Sequence, residues 1–129
     1  MINNKYNNIT YKGNKPLISI ITVVYNNVYH IKQTIESVLA QDYPFIEYVV
    51  IDGNSSDGTL EIIQEYQDKI SFLLSESDNG IYDALNKGIK NTNGDVIAIL
   101  HSDDLYYDEY VISDMVQKME ITDSEICFS

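Results

Sequence analysis

The chain alternates between two patterns of hydrophobic and polar positions, and each pattern predicts a different element. Continuous apolar runs rich in Val and Ile, such as LISIITVVY at residues 17–25, are typical of strands buried on both faces. Between these runs, apolar residues recur at every third or fourth position, which indicates amphipathic helices. The predicted strands are residues 17–25, 46–52, 70–76 and 95–100, and the predicted helices are residues 30–41, 59–67, 81–90 and about 108–120.

The predicted strands and helices follow one another in strict alternation over short polar loops. This order is typical of a mostly parallel sheet with helices on both faces, so we predict an α/β fold. Residues 16–129 form the predicted domain, after a polar, Asn-rich leader at residues 1–15. Residues 125–129 begin like a further strand, so we expect the sequence to stop before the domain is complete. The helix faces predicted to be buried carry Ile31, Ile35, Val38 and Leu39; Leu60, Ile63 and Tyr66; Ile81, Ala84, Leu85 and Ile89; and Ile112, Met115, Val116 and Met119.

Charge and cysteine content narrow the function classes. The 129 residues carry a net charge of −12, and all eight basic residues are lysines. Nucleic acids and anionic lipids attract proteins through a basic face, so this composition argues against binding to either. Cys127 is the only cysteine, which excludes an internal disulfide and favours a reducing cytoplasm. No apolar run reaches the roughly 20 residues of a membrane span, and no secretory signal is visible.

Polar clusters follow three of the predicted strands directly. They comprise residues 25–27 after the first strand, residues 52–57 after the second and residues 101–104 after the fourth. Parallel strands place their carboxyl ends at one edge of the sheet, where such folds bind ligands. We therefore expect the three clusters to meet in one binding site.

Two adjacent carboxylates, Asp103 and Asp104, stand out in the third cluster. Capping of the following helix is one interpretation, but it accounts for one acid and leaves its neighbour unexplained. Hard oxygen ligands on a rigid strand end suit Mg²⁺ or Mn²⁺, with waters and substrate phosphates completing the coordination. The sequence therefore favours a divalent metal site over a cap.

The segment IDGNSSDGT, residues 51–59, resembles several known ion and phosphate loops without matching them. An EF-hand starting at Asp52 would need Gly and Glu where Asp57 and Ile63 stand, and no phosphate-binding loop signature is present. Residues 56–59 are therefore interpreted as a turn, with Asp57 or Thr59 capping a helix and Gly58 relieving strain. Asp52 is interpreted as a ligand-binding residue, since a turn at a strand end needs no acid and we expect it to support few core contacts.

Four motifs together resemble the family 2 glycosyltransferases of the GT-A fold. SIITVVYNN, VVIDGNSSDGT, SESDNGIYDALNKGI and GDVIAILHSDDLYY occur in the order and spacing typical of that family, over residues 16–108. The resemblance implies a Rossmann-like nucleotide-binding domain. It also implies metal-dependent transfer of a sugar, with inversion, from a nucleoside-diphosphate donor, as in polysaccharide biosynthesis.

The resemblance also implies roles for particular residues. Nucleotide contacts correspond to Thr22, Tyr25, Asn26 and Asp52, and the donor pocket to Gly80, Asp83 and Asn86. The DxD motif corresponds to His101, Ser102 and Asp103, with Asp104 following, so the implied metal ligands are His101, Asp103 and Asp104. The first DxD position holds His101 where members of the family usually carry Asp or Asn. With no arginine in the chain, Lys87 or Lys90 would be the cations nearest the diphosphate.

In this family the catalytic base and the acceptor surface come from the second half of the chain. We therefore expect the base beyond residue 129, and this chain to carry the donor half of the enzyme. The acceptor would be a glycan or a lipid-linked sugar. The full protein would act in the cytoplasm, where contact with the cytoplasmic face of the membrane would bring it to a lipid acceptor.

Two rival functions share some of these features. A phosphoacceptor receiver module would match the length, the acidity and the acid at the end of the second strand. It also requires an acidic pair after the first strand, where this chain has Tyr25, Asn26 and Asn27. The second rival is a chain that binds a nucleotide sugar without turning it over.

Overall fold

The computed structural model describes residues 15–122 and 126–128, and it contains one sheet of five strands. Their spatial order is β3-β2-β1-β4-β5, and every neighbouring pair is parallel. The predicted parallel sheet is therefore confirmed, and residues 126–128 add the further strand that the sequence indicated. The strands are β1 (Ile18–Val24), β2 (Ile46–Asp52), β3 (Phe72–Ser75), β4 (Val96–Ile99) and β5 (Ile126–Phe128).

Helices connect the successive strands. They are α1 (Ile31–Leu39), α2 (Thr59–Glu65), α3 (Ile81–Lys90) and α4 (Val111–Thr122), and a 3₁₀ turn (Gln67–Lys69) follows α2. The predicted bounds of β2 and α3 match the observed ones, whereas the other predicted elements extend a few residues too far or begin too early. Among the described helices, none combines the length and the apolar character that crossing a membrane requires.

The central strand β1 pairs with β2 on one side and with β4 on the other. Ile18 is the partner of Ile46 in β2 and of Val96 in β4. The chain thus builds the sheet outward from β1 to β3 and then returns to the other side of β1. The loops that follow β1 and β4 diverge at this point, which leaves a crevice at the carboxyl edge of the sheet.

Two apolar layers cover the sheet. On one face, Ile31 of α1, Ile63 of α2 and Ile112 of α4 belong to a single buried cluster, together with Tyr48 of β2. On the other face, Ala84 of α3 packs with residues of β1 and β2. Helices therefore lie on both faces, as predicted, and the alternation of buried side chains in the central strands supplies both layers.

Helix α3 packs on the sheet through only part of the predicted face, since Ala84 is buried and Leu85 packs beside it, whereas the two isoleucines do not. Ile81 and Ile89, both expected to be buried, are 47% and 43% exposed, whereas Ala84 and Gly88 are buried. A Cβ atom on Gly88 would lie 2.8 Å from Cγ2 of Ile21, so the helix backbone lies almost on the strand. Because small residues permit this close approach, they form the contact and the larger isoleucines flank it. On α2, Ile63 is fully buried, as predicted, whereas Leu60 and Tyr66 are only half-buried.

The predicted division of the chain into leader and domain lies partly outside the described residues. Residues 1–14 of the leader are not described, and Lys15 is the first residue whose position is known. The expectation that the domain runs from residue 16 to residue 129 stays a prediction.

Candidate functional site

A cavity of about 450 Å³ opens at the carboxyl edge of the sheet, in the crevice between the loops after β1 and β4. Its floor comes from the end of β1, and its sides come from the β3–α3 connection and the loop after β4. The lining residues are Val23, Val24, Tyr25, Asn27, Asp78, Gly80, Ile81, Ala84, His101, Ser102 and Asp103.

Five residues that the sequence singled out lie together in this lining. They are Tyr25, Gly80, His101, Ser102 and Asp103, drawn from three separate loops. Tyr25 is 64% exposed, so most of its ring is open to solvent. Gly80 has φ of +112° and ψ of −177°, a conformation that is open only to glycine. The cavity is thus bordered by an aromatic ring, a glycine and the loop that carries the two carboxylates.

Three of the four predicted nucleotide-binding residues, Thr22, Asn26 and Asp52, do not line the cavity, and neither does any other residue of the predicted cluster at 52–57. Thr22 is fully buried, and its hydroxyl shares a hydrogen bond of 2.9 Å with the hydroxyl of Tyr48. Burial raises the pKa of Tyr48 well above its ordinary value, so this phenol stays protonated. Asp52 is also fully buried.

The carboxylate of Asp52 organises the turn that follows β2. Its Oδ2 accepts hydrogen bonds from the backbone N–H of Asn54 (3.1 Å), from that of Ser55 (2.9 Å) and from the hydroxyl of Ser75 (2.8 Å). Its Oδ1 accepts the hydroxyl of Ser55 at 2.6 Å. The expectation that the turn needs no acid here is therefore wrong, because the acid binds the turn's own donors.

Asn26 joins the loops after β1 and β2. Its backbone N–H donates to Oγ of Ser55 (2.8 Å), and its side-chain Oδ1 accepts the N–H of Ser56 (2.8 Å). Asn26 adopts a positive φ of 50°, which asparagine tolerates better than most residues. Through Ser55, the buried Asp52 is thus connected to the loop that carries Tyr25.

The N-cap of α2 is Gly58, with no side-chain cap hydrogen bond, so neither Asp57 nor Thr59 occupies the predicted cap position. Oδ1 of Asp57 accepts hydrogen bonds from the N–H (3.0 Å) and the hydroxyl (2.5 Å) of Thr59, at the start of α2. The bond from the Thr59 hydroxyl is the main reason why the pKa of Asp57 lies below its ordinary value. Gly58 lies between them with φ of +105°, a conformation that favours glycine.

Lys87 belongs to a surface network on α3. Its Nζ lies 2.9 Å from Glu76 and 3.5 Å from Asp83, and it donates to the carbonyl of Ser77 at 3.0 Å. Asp83 accepts the N–H of Asn79 (2.9 Å), and this bond, followed by the charge of Lys87, lowers its pKa. The hydrogen bond to Glu76 raises the pKa of Lys87. Asp83, Asn86, Lys87 and Lys90 are absent from the residues that line the cavity.

Residues His101–Asp104 form a turn directly after β4. The N–H of Asp104 donates to the carbonyl of His101 at 3.0 Å, and Oγ of Ser102 accepts Nδ2 of Asn27 at 3.0 Å. Asp103 is exposed and lines the cavity, whereas Asp104 is exposed but lies outside the lining. The structure therefore brings His101 and Asp103 to the cavity and leaves Asp104 apart.

A metal ion would find an incomplete set of protein ligands here. Within residues 15–122 and 126–128, no three His, Cys, Asp or Glu side chains are grouped so that they could hold an ion. Asp103 supplies a hard oxygen ligand, and His101 supplies a nitrogen that suits Mn²⁺ better than Mg²⁺. Such a pair fits a cation that also takes oxygen ligands from a bound phosphate and from water.

Six lining residues were not assigned to the site from the sequence: Val23, Val24, Asn27, Asp78, Ile81 and Ala84. Asn27 stood in the first polar cluster and Asp78 in the third motif, but no local pattern set them apart from their neighbours. Asp78 lies against the loop after β2, since a Cβ atom placed on Gly53 of that loop would be 2.8 Å from Oδ2 of Asp78. Ile81 was assigned to the core because of its helical spacing. Contacts between loops distant in sequence decide the positions of Asn27 and Asp78, and the packing of α3 on the sheet leaves Ile81 at the cavity.

Known proteins are similar in sequence to most of this chain. Residues 19–128 match the family described as glycosyl transferase family 2. An uncharacterized glycosyltransferase of Rickettsia typhi is 45% identical over 92 residues, which are 71% of this chain and 29% of the relative. TuaG of Bacillus subtilis, a glycosyltransferase named for teichuronic acid biosynthesis, is 39% identical over 93 residues, or 70% of this chain and 37% of TuaG.

Solved structures show the same fold. The mannosyltransferase PcManGT of Pyrobaculum calidifontis, in complex with GDP-Man and Mn²⁺, superimposes with a TM-score of 0.77 at 24% identity, over 83% of this chain and 33% of PcManGT. TarS 1–349 of S. aureus, in complex with UDP-GlcNAc, gives a TM-score of 0.74 at 25% identity, over 81% of this chain and 31% of TarS.

The chain spans about a third of the length of the relatives and structures that it matches. The parallel sheet between two helix layers is the fold of the GT-A glycosyltransferases. The family match covers most of the sequence, including every described strand except the first residue of β1. The chain therefore belongs to glycosyl transferase family 2.

Proposed function

We propose that the cavity binds a nucleoside-diphosphate sugar whose glycosyl group is transferred, with inversion, to an acceptor. The observation that carries the proposal is the convergence of Tyr25, Gly80, His101, Ser102 and Asp103 on one cavity. The solved complexes of PcManGT with GDP-Man and of TarS with UDP-GlcNAc support a nucleotide sugar as the ligand.

The nucleoside would lie against Tyr25. Its ring is 64% exposed beside the cavity and offers a flat face on which a base can stack. Asn26 and Asp52 would shape this subsite, since Asp52 binds Ser55 and Ser55 binds the N–H of Asn26. Thr22 would contribute indirectly, through its hydrogen bond with Tyr48. A direct contact between Asp52 and the base would require Asp52 to give up one of its present hydrogen bonds.

The sugar and diphosphate would lie between the start of α3 and the turn after β4. No atom lies within 4 Å of a Cβ placed on Gly80, so the chain leaves open space at this position. Asp83 and Asn86 would border the sugar only after a change in the surface network that now holds Asp83.

Mn²⁺ or Mg²⁺ is the proposed cofactor, held by Asp103 with His101, and Asp104 would join only if the turn rearranged. When bound, the ion would neutralise the diphosphate and stabilise the charge on the leaving nucleotide. The protein's part is to present Asp103 on a fixed turn, with Ser102 bound to Asn27. Mn²⁺ in the PcManGT complex makes this ion the first to test.

The catalytic base is proposed to lie beyond residue 129, and the acceptor to be a glycan or a lipid-linked sugar. An inverting displacement needs a base close to the attacking hydroxyl and opposite the leaving group. The name of TuaG supports a role in polysaccharide biosynthesis. We propose that the full protein acts in the cytoplasm, with access to the cytoplasmic face of the membrane.

Calorimetry with UDP and GDP tests the proposal. We expect the wild-type chain to bind one of them in Mn²⁺ or Mg²⁺, and to bind it at least about tenfold more weakly in EDTA or as Asp103→Asn. Asp68→Asn, an exposed aspartate in the 3₁₀ turn, is the matched control and should bind like wild type. Equal affinity in EDTA would contradict the metal role, and no binding of either nucleotide would contradict the donor site.

Product analysis separates transfer from binding alone. The chain would be incubated with UDP- and GDP-sugars, Mn²⁺ and a panel of acceptors, and glycosylated products followed by mass spectrometry. Because the base is proposed to lie beyond residue 129, we expect nucleotide-sugar binding without repeated transfer. Multiple turnovers would place the base within this chain, where Asp78 lines the cavity.

A further inference from the structure

Helix α1 carries one polar residue on its buried face. Its buried residues are Ile31, Thr34, Ile35 and Val38, and Thr34 is 1% exposed. An aliphatic residue at position 34 would continue the apolar stripe of the helix. A hydroxyl in this position must find acceptors, because a buried polar group without a partner is costly.

The acceptors are two carbonyls of the turn after β4. Oγ1 of Thr34 lies 2.8 Å from the carbonyl oxygen of Ser102 and 2.6 Å from that of Asp104. The carbonyl of His30, one helical turn earlier, lies farther away at 3.3 Å. A hydroxyl has a single hydrogen, so the two turn carbonyls share it. One side chain thereby holds the carbonyls of the two residues that flank Asp103.

Two further bonds fix the same turn from other directions. The N–H of Asp104 donates to the carbonyl of His101, and Nδ2 of Asn27 donates to the hydroxyl of Ser102. Asp103 lies between the two carbonyls that Thr34 holds, and its own carboxylate accepts none of these bonds. Its backbone is therefore fixed while its side chain stays available to the cavity.

We propose that Thr34 is a positioning residue, whose buried hydroxyl fixes the His101–Asp104 turn and thereby sets Asp103 on the donor cavity. The role of Asp103 toward a metal and diphosphate rests on the proposed function. Residues that hydrogen-bond to a metal ligand orient that ligand. Their loss typically weakens metal binding, though less than loss of the ligand itself. Thr34 acts in this way from a different element, 69 positions before Asp103 in the sequence.

Amide exchange tests the positioning role without any ligand. Thr34→Val keeps the shape and removes the hydroxyl, so we expect the Asp104 N–H to exchange about fivefold faster by NMR, the effect of losing one net hydrogen bond. Thr34→Ser keeps the hydroxyl and should restore slow exchange. Ser19→Ala is the control, because Ser19 is fully buried and binds Glu47 and Gly94 near the opposite edge of the sheet.

Titration of UDP separates positioning from mere stabilisation. In Mn²⁺ we expect Thr34→Val to bind UDP roughly tenfold more weakly, with Thr34→Ser and Ser19→Ala close to wild type. In EDTA, Thr34→Val and wild type should bind UDP equally. If UDP binding to wild type proves too weak to measure, GDP replaces it. Thr34→Ala, which removes the same hydroxyl and adds no atom, replaces the valine variant if that variant does not fold.

Each outcome supports or overturns the inference. Unchanged exchange at Asp104 in Thr34→Val would overturn it, and so would faster exchange with unchanged affinity in Mn²⁺. If wild type binds UDP equally in Mn²⁺ and EDTA, the metal part of the proposed function fails. The exchange rates of the valine and serine variants then decide alone whether Thr34 fixes the turn.

Discussion

Asp52 is the residue on which the two loops beside Tyr25 depend. It is fully buried, and its carboxylate accepts four hydrogen bonds from Asn54, Ser55 and Ser75. Ser55 in turn accepts the N–H of Asn26. A buried carboxylate with these partners stabilises the turn after β2 and, through Ser55, the loop after β1.

Replacement of Asp52 therefore tests its structural role. We expect Asp52→Ala to lower the free energy of unfolding by about 2–4 kcal/mol, because it leaves several donors unsatisfied. Asp52→Asn should lower the free energy of unfolding by less, since its side-chain NH₂ can face Ser55 and donate a hydrogen bond to the hydroxyl of Ser55. Urea denaturation measures both, with the exposed Asp68→Ala as the control. An Asp52→Ala variant as stable as Asp68→Ala would contradict the structural role.

Helix α3 is the element whose packing the sequence described least well. The predicted buried face included Ile81 and Ile89, but the helix meets the sheet through Ala84 and Gly88. This choice matters for the site, since it leaves Ile81 at the cavity. Periodicity marks an apolar face, but the closeness of helix and strand decides which members of that face lie in the contact.

Gly88→Ala tests this close contact. Replacing glycine by alanine inside a helix usually raises the free energy of unfolding by about 1 kcal/mol. Here its Cβ would lie 2.8 Å from Cγ2 of Ile21, so we expect a net loss of about 1–3 kcal/mol in the free energy of unfolding. Ile21→Ala removes the obstructing methyl group, and in that background Gly88→Ala should become neutral or stabilising. Additive effects of the two substitutions in urea denaturation would contradict the contact.

The negative charge of the whole molecule opposes binding of the proposed ligand, which is itself an anion. The net charge is −12, and the described lining of the cavity contains Asp78 and Asp103 but no lysine. Lys87 forms ion pairs with Glu76 and Asp83. A nucleoside diphosphate therefore approaches a surface of its own sign, and a metal ion would reverse the local charge.

Salt dependence tests this electrostatic argument. In EDTA, we expect UDP to bind more tightly as NaCl rises from about 0.01 M to 0.1 M, because salt screens the repulsion between like charges. With Mn²⁺ bound, the same change should leave the affinity unchanged or weaken it. Isothermal titration at matched pH measures both series. Weaker UDP binding with rising salt in EDTA would show that a cationic group of the chain faces the diphosphate.

The sequence by itself determined the sheet and the edge at which the site lies. Buried strands and amphipathic helices leave periodic signatures that neighbouring residues set locally, so β2 and α3 were predicted with their observed bounds. The carboxyl ends of parallel strands then placed Tyr25, His101, Ser102 and Asp103 at one edge, and the cavity confirms that they meet.

Only the tertiary structure decided which polar groups line the cavity and which hold it together. Asp52 and Thr22 are buried and do not line the cavity, and their hydrogen bonds are made with the turn donors and with Tyr48. Thr34 reaches the His101–Asp104 turn from a helix distant in sequence. Such partners are set by the packing of elements remote along the chain, and no local pattern carries that information.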